Sequence, residues 1–151
     1  MNKQSLPGQV LRCVSEMVTG AGQLMDPSER WADTAFLAVR NDSGGLCFET
    51  VPLFFLDRKT TKASLEDLLP AAVRRFRAKV VVIAFSQYEI KERVEILYLL
   101  SLDPDGIESM KARIDRSSGA PQIRRWQSSV TPLPVPFTGP VMAALKETTV
   151  S

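Results

Sequence analysis

Lys79–Leu102 reads KVVVIAFSQYEIKERVEILYLLSL, and two apolar runs inside it decide the fold. The first, Val80 to Phe85, is β-branched and does not alternate, which fits a central strand covered on both faces. In the second, Val94, Ile96, Tyr98, Leu100 and Leu102 alternate with Glu95, Leu97, Leu99 and Ser101. That pattern predicts a strand whose other face is also half apolar. The polar link between the two runs is short, and short links join antiparallel neighbours.

Downstream, Asp103-Pro104-Asp105-Gly106 and Ser117-Ser118-Gly119-Ala120-Pro121 are turn sequences. Ile107 to Asp115 and Gln122 to Gln127 therefore complete a meander. Upstream, Ala35 to Val39 and Leu46 to Phe55 flank Asn41-Asp42-Ser43-Gly44-Gly45, which supplies the positive-φ residues of a hairpin. Pro52 marks the second of these strands as an edge or a bulge.

Two helices are expected. Leu6, Val10, Cys13, Val14, Met17 and Val18 recur at helical spacing, so residues 7–18 form an amphipathic helix with Pro7 in its first turn and Gly20 and Gly22 ending it. Residues 19–32 then read as a loop carrying Trp31. Leu65, Leu68, Leu69, Ala72, Val73 and Phe76 make a second stripe, with Ser64 as N-cap and Pro70 dividing the first turn from the helix proper. The fold class is α+β: a mainly antiparallel sheet of about six strands, in the order α-β-β-α-β-β-β-β, packed by one or two helices. Residues 1–127 form this domain. Residues 128–151, with Pro132, Pro134, Pro136 and Pro140, are expected as a proline-rich, extended C-terminal tail ending in a short helix-like piece, Val141 to Lys146.

Ala71 to Trp126 resembles an uncharacterised group of small prokaryotic proteins. The pattern is an apolar strand ending near a serine and an aromatic (Val81 to Ser86, with Tyr88). It continues with an Arg-x-Glu-apolar-Leu strand (Arg93 to Leu97), an Asp-Gly turn (Asp105-Gly106) and a basic strand (Ile114 to Arg116). Tyr88 stands where that group more often has tryptophan. The resemblance implies a shared fold and transfers no activity.

Composition excludes several chemistries. The chain has no histidine, so Ser-His-Asp and Cys-His catalysis and imidazole zinc sites are absent. Its two cysteines, Cys13 and Cys47, lack CxxC spacing and read as buried free thiols of a reducing compartment. Gly20-Ala21-Gly22 lacks the third glycine of a dinucleotide loop. No cofactor is implied. The N-terminus has no apolar run of signal-peptide length and no stretch can cross a bilayer, so a soluble cytoplasmic protein without membrane contact is expected. A net charge of +2 does not by itself call for a polyanion.

Three constellations remain. Arg93 and Glu95, two apart on a strand and so on one face, could bind an anion and act as base, with Tyr88 beside them; the plainer reading is a surface ion pair. Arg74, Arg75 and Arg77 together with Arg124, Arg125 and Trp126 could form a phosphate-tracking face with one stacking aromatic. The apolar second face of Val94–Leu102 needs a cover, either a second helix layer or another copy of the chain, which makes a homodimer the expected partner state. Pro132 to Pro136 could be a polyproline II ligand for a protein partner or a surface-laid terminus. The expected function is a non-catalytic interaction or regulatory protein that self-associates. The alternatives are a small-ligand binder or enzyme using Arg93 and Glu95, and a nucleic-acid binder.

Overall fold

In the computed structural model, which describes residues 5–117, 119–130 and 135–150, six strands form one sheet. They are β1 (Thr34–Arg40), β2 (Leu46–Pro52), β3 (Val80–Glu89), β4 (Val94–Asp103), β5 (Gly106–Asp115) and β6 (Gln122–Ser129). Their order is β2-β1-β3-β4-β5-β6, and every neighbouring pair is antiparallel. The sequence-based α+β assignment and its antiparallel meander are what the chain forms. β3 and β4 occupy the centre, and Val80–Phe85 and Ile96–Leu102 are buried without interruption. β2 ends at Pro52, three residues short of the expected Phe55, and lies at the sheet edge where a residue lacking N–H is tolerated.

Helices cover both faces. α1 (Leu6–Gln23) lays Val10, Leu11, Val14 and Val18 against Ala38, Val82, Ala84, Leu97 and Leu99. The Ser5 hydroxyl caps it by accepting from the Gly8 N–H at 3.2 Å. Gly20 and Gly22 do not end it. Gly22 instead lets the last turn close on β6, where a Cβ would stand 2.6 Å from the Ile123 side-chain tip.

On the other face lie α2 (Arg58–Ala63), a π-helical turn (Ser64–Leu68) and α3 (Leu69–Phe76). The cap of this run is Asp57, not Ser64. The Asp57 carboxylate accepts from the Thr60 N–H, and Thr60 Oγ1 accepts from the Asp57 N–H in return. Ser64 lies inside the run, with its hydroxyl accepting from the Phe54 N–H at 3.1 Å. The π turn is how the chain tolerates Pro70: widening the preceding turn accommodates a residue without N–H. Arg77, at φ 54°, closes α3 in the left-handed region.

The stretch expected as an extended tail ending in a short helix-like piece, Val141 to Lys146, holds the longer α4 (Val135–Val150), with Pro140 inside it. Val141, Ala144 and Leu145 recur at helical spacing and are fully buried with Leu65, Leu69 and Val73 over Ile83, Leu100 and Leu102. The Thr148 hydroxyl donates to the Ala78 carbonyl at 2.8 Å, and Lys79 Nζ donates to the Thr148 carbonyl at 3.1 Å. Burial of that stripe outweighs the extended preference of Pro136 and Pro140. Pro132 to Pro134 lie outside the described residues, so the polyproline segment is described only from its end.

Both faces of β4 are thus covered within the chain, and the open apolar face that motivated self-association is absent among the described residues. The cysteines also differ from expectation. Cys13 sits beside the buried stripe of α1 and Cys47 lies on the edge strand, so both are exposed, and neither forms a disulfide.

Candidate functional site

β1 is shorter than β3, and the site begins there. Their register ends at Thr34↔Ala84, so Phe85–Glu89 of β3 pairs with β4 alone. The loop of residues 24–33 crosses this end of the sheet on the α1 side. Two of its side chains reach the unpaired edge. Trp31 Nε1 donates to the Ala84 carbonyl at 3.1 Å, and the Asp33 carboxylate accepts from the Ser86 N–H at 3.4 Å. Between loop and strand tips lies a cleft of about 560 Å³, walled by Trp31, Asp33, Leu56, Tyr88, Glu95 and Arg116. Its volume lies in the range of small-molecule sites.

Opposite charges are paired on one wall. Arg116, just past the end of β5, grips Glu95 with Nε at 2.8 Å from Oε2 and Nη2 at 3.3 Å from Oε1. Its remaining nitrogen donates to the Pro27 carbonyl at 2.9 Å, which fastens the loop to the sheet. Both side chains are mostly buried, at 24% and 20% exposure, so the fork is shielded from bulk screening.

Asp33 is different. Burial raises its pKa above the ordinary 3.8, and the long bond from Ser86 only partly offsets this. No ion pair among the described residues includes Asp33. Arg30 on the rim is exposed and reaches no carboxylate. The cleft therefore holds one desolvated carboxylate without a counter-charge, beside two aromatics, of which Tyr88 is 61% exposed.

The three residues singled out from sequence converge in part. Tyr88 and Glu95 are register partners on the β3–β4 hairpin and line this cleft. With Arg93 they also line an adjoining hollow of about 500 Å³ that includes Arg113, Asp115 and Ser117. Arg93 does not share a strand face with Glu95. It stands at φ 53° ahead of β4, so the two-residue alternation does not reach it. The cation that pairs with Glu95 is Arg116. In the hollow, hydrogen bonds from Ser117 hold the Asp115 carboxyl below its usual range.

The basic set divides in two. Arg74 is engaged by Glu147 at 2.7 and 3.3 Å, Arg75 lies over the Phe76 ring at 5.7 Å, and Arg77 is the helix cap. All three belong to α3, on the β1–β2 side. Arg124, Arg125 and Trp126 are on β6, four strand spacings from β1, or about 19 Å. Arg124 donates to the neighbouring Gln122 side chain. Trp126 is no stacking platform. Arg125 and Trp126 together oppose Ala112 in a bulge, with Arg125 at φ 62°. The bulge turns Trp126 onto α1, where Nε1 donates to Thr19 Oγ1 at 3.0 Å.

Sequence reasoning missed Trp31, Asp33 and the pairing role of Arg116. A carboxylate and a tryptophan ending a polar loop just before an apolar strand were the available signal. Among the described residues no group of three His, Cys, Asp or Glu side chains could hold a metal, and no helix is long and apolar enough to cross a membrane. No protein-family model, curated protein or solved structure matches this chain.

Proposed function

We propose that the protein is a non-catalytic binding protein whose site is the Trp31–Asp33–Tyr88 cleft, and that its ligand brings a cationic, hydrogen-bond-donating group to Asp33. The observation that carries this reading is the half-buried Asp33 carboxylate without a counter-charge. A ligand cation restores the charge balance that burial has removed, and the faces of Trp31 and Tyr88 favour a cation as well. Catalysis is the weaker reading, because the Glu95 carboxylate is committed to Arg116. Self-association loses its motive with both faces of β4 covered.

Tryptophan fluorescence tests the site. A Trp126→Phe variant leaves Trp31 as the single tryptophan reporter. Benzylguanidine should change its emission saturably, benzoate should not, and Asp33→Asn should weaken the response on the order of tenfold, the scale of one charged hydrogen bond. Equal responses to both probes, or a response that Asp33→Asn leaves intact, would refute the assignment.

A further inference from the structure

Two hydrogen bonds fix which way the open edge of β3 points. Asn41 N–H to Gly45 O and Leu53 N–H to Asp33 O, each 2.9 Å, show that the odd-numbered backbone groups of β1 and its flanks face β2. The even-numbered groups of β1 therefore face β3, where Thr34, Phe36 and Ala38 register with Ala84, Val82 and Val80. It follows that the N–H and C=O of Ala84 face the end of β1, and that those of Ser86 and Tyr88 point into the lane that β1 vacates. Trp31 satisfies the Ala84 carbonyl and Asp33 the Ser86 N–H. That leaves the Ser86 carbonyl and both backbone groups of Tyr88 facing a lane with no strand in it.

We infer that this lane receives an extended basic peptide: its backbone adds beside Ser86–Tyr88 as a short strand, and a lysine or arginine side chain meets Asp33. The inference rests on the cleft being the binding site and names the class of ligand. Strand addition is the recognition mode that uses unpaired backbone groups on a sheet edge for affinity and flanking pockets for selectivity. Here the walls of the cleft include Trp31 and Leu56. Phe85–Glu89 spans about 17 Å, enough to face about five residues. The charge preference follows from Asp33, because the Glu95 carboxylate on the same wall is already neutralised by Arg116. An acidic peptide would set its charge against an unpaired carboxylate at the head of the lane.

The test uses the intact chain and five probes, read by amide signals in NMR. They are the blocked hexapeptide Val-Lys-Val-Lys-Val-Thr, two versions of it N-methylated at alternate residues (one in each phase), a version with glutamate in place of both lysines, and benzylguanidine. Strand addition predicts that the first peptide shifts Ser86 and Tyr88 and slows Tyr88 amide exchange. One N-methylated phase should lose binding at least tenfold while the other keeps it. If both methylated phases bind as well as the parent, or Tyr88 gains no protection, strand addition is overturned. Benzylguanidine shifting Trp31 in that case leaves the cation cleft standing without the peptide. If benzylguanidine also fails to shift Trp31, the cleft reading falls too. The peptide with glutamate in place of both lysines should bind at least tenfold more weakly, and equal binding would overturn the basic preference.

Discussion

Arg116 holds Glu95 through two nitrogens, at 2.8 and 3.3 Å, and the Pro27 carbonyl through the third, at 2.9 Å. One side chain thereby ties the end of β5, the start of β4 and the loop that walls the cleft. Lysine cannot make the three bonds in this planar geometry. Arg116→Gln should lower unfolding free energy by about 1.5–3 kcal/mol, because it leaves Glu95 charged, mostly buried and without its partner. Arg116→Lys should recover less than half of that. Urea denaturation measures the loss, and hydrogen exchange should show residues 26–32 opening in both variants.

Asp33 predicts a stability that falls with pH. Its folded pKa lies above the unfolded value near 3.8, so between the two the folded state binds more protons than the unfolded. Stability then decreases as pH rises through that window, and the burial penalty is fully present above it. Asp33→Asn should therefore be more stable than wild type at pH 7, and the two should converge as pH drops below the unfolded value. Denaturation of both proteins at several pH values checks the sign. A variant less stable than wild type at pH 7 that regains parity in acid would show instead that the ionised carboxylate contributes favourably.

α4 should be integral to the core. Leu145 is fully buried against the α3 side of the sheet. Leu145→Ala should cost about 2–5 kcal/mol, the usual range for a deleted core leucine. Thermal or urea unfolding measures this, and a loss under 0.5 kcal/mol would mean that α4 is not docked in solution.

The Asp57–Thr60 capping box is a fourth, independent site. Asp57→Ala should destabilise by about 1 kcal/mol and Thr60→Ala by less, with the two losses sub-additive because they share the box. Arg74→Ala, by contrast, should change stability little, since its pair with Glu147 is about half exposed on each side. Chemical denaturation of the single and double variants resolves both expectations.

The sheet was legible because its signals are local. Val80–Phe85 lacks alternation, Asp103-Pro104-Asp105-Gly106 punctuates the meander, and both features survive into β3, β4 and β5. Of α4 only the piece from Val141 to Lys146 was legible, because Pro136 and Pro140 speak for extended chain. What overrides them is a stripe of Val141, Ala144 and Leu145 that gains its stability only once Leu65, Leu69 and Val73 are in place. Trp126 was misplaced for a different reason. Alternation from Ile123 puts it on the outer face, and a one-residue bulge at Arg125 reverses that. Tyr88 and Glu95 were found because register partners on a hairpin stay together. Asp33 and Trp31 were not, because their closeness to Ser86 and Ala84 depends on where β1 stops.

The most direct measurement is a map of amide and indole shifts as benzylguanidine is titrated into the uniformly labelled protein. A site at Asp33 predicts saturable shifts confined to the Trp31 indole, the Ser86 and Tyr88 amides and the loop of residues 27–33, and their disappearance in Asp33→Asn. Shifts centred elsewhere, such as the exposed Phe54 and Leu68, or none at millimolar probe, would contradict it.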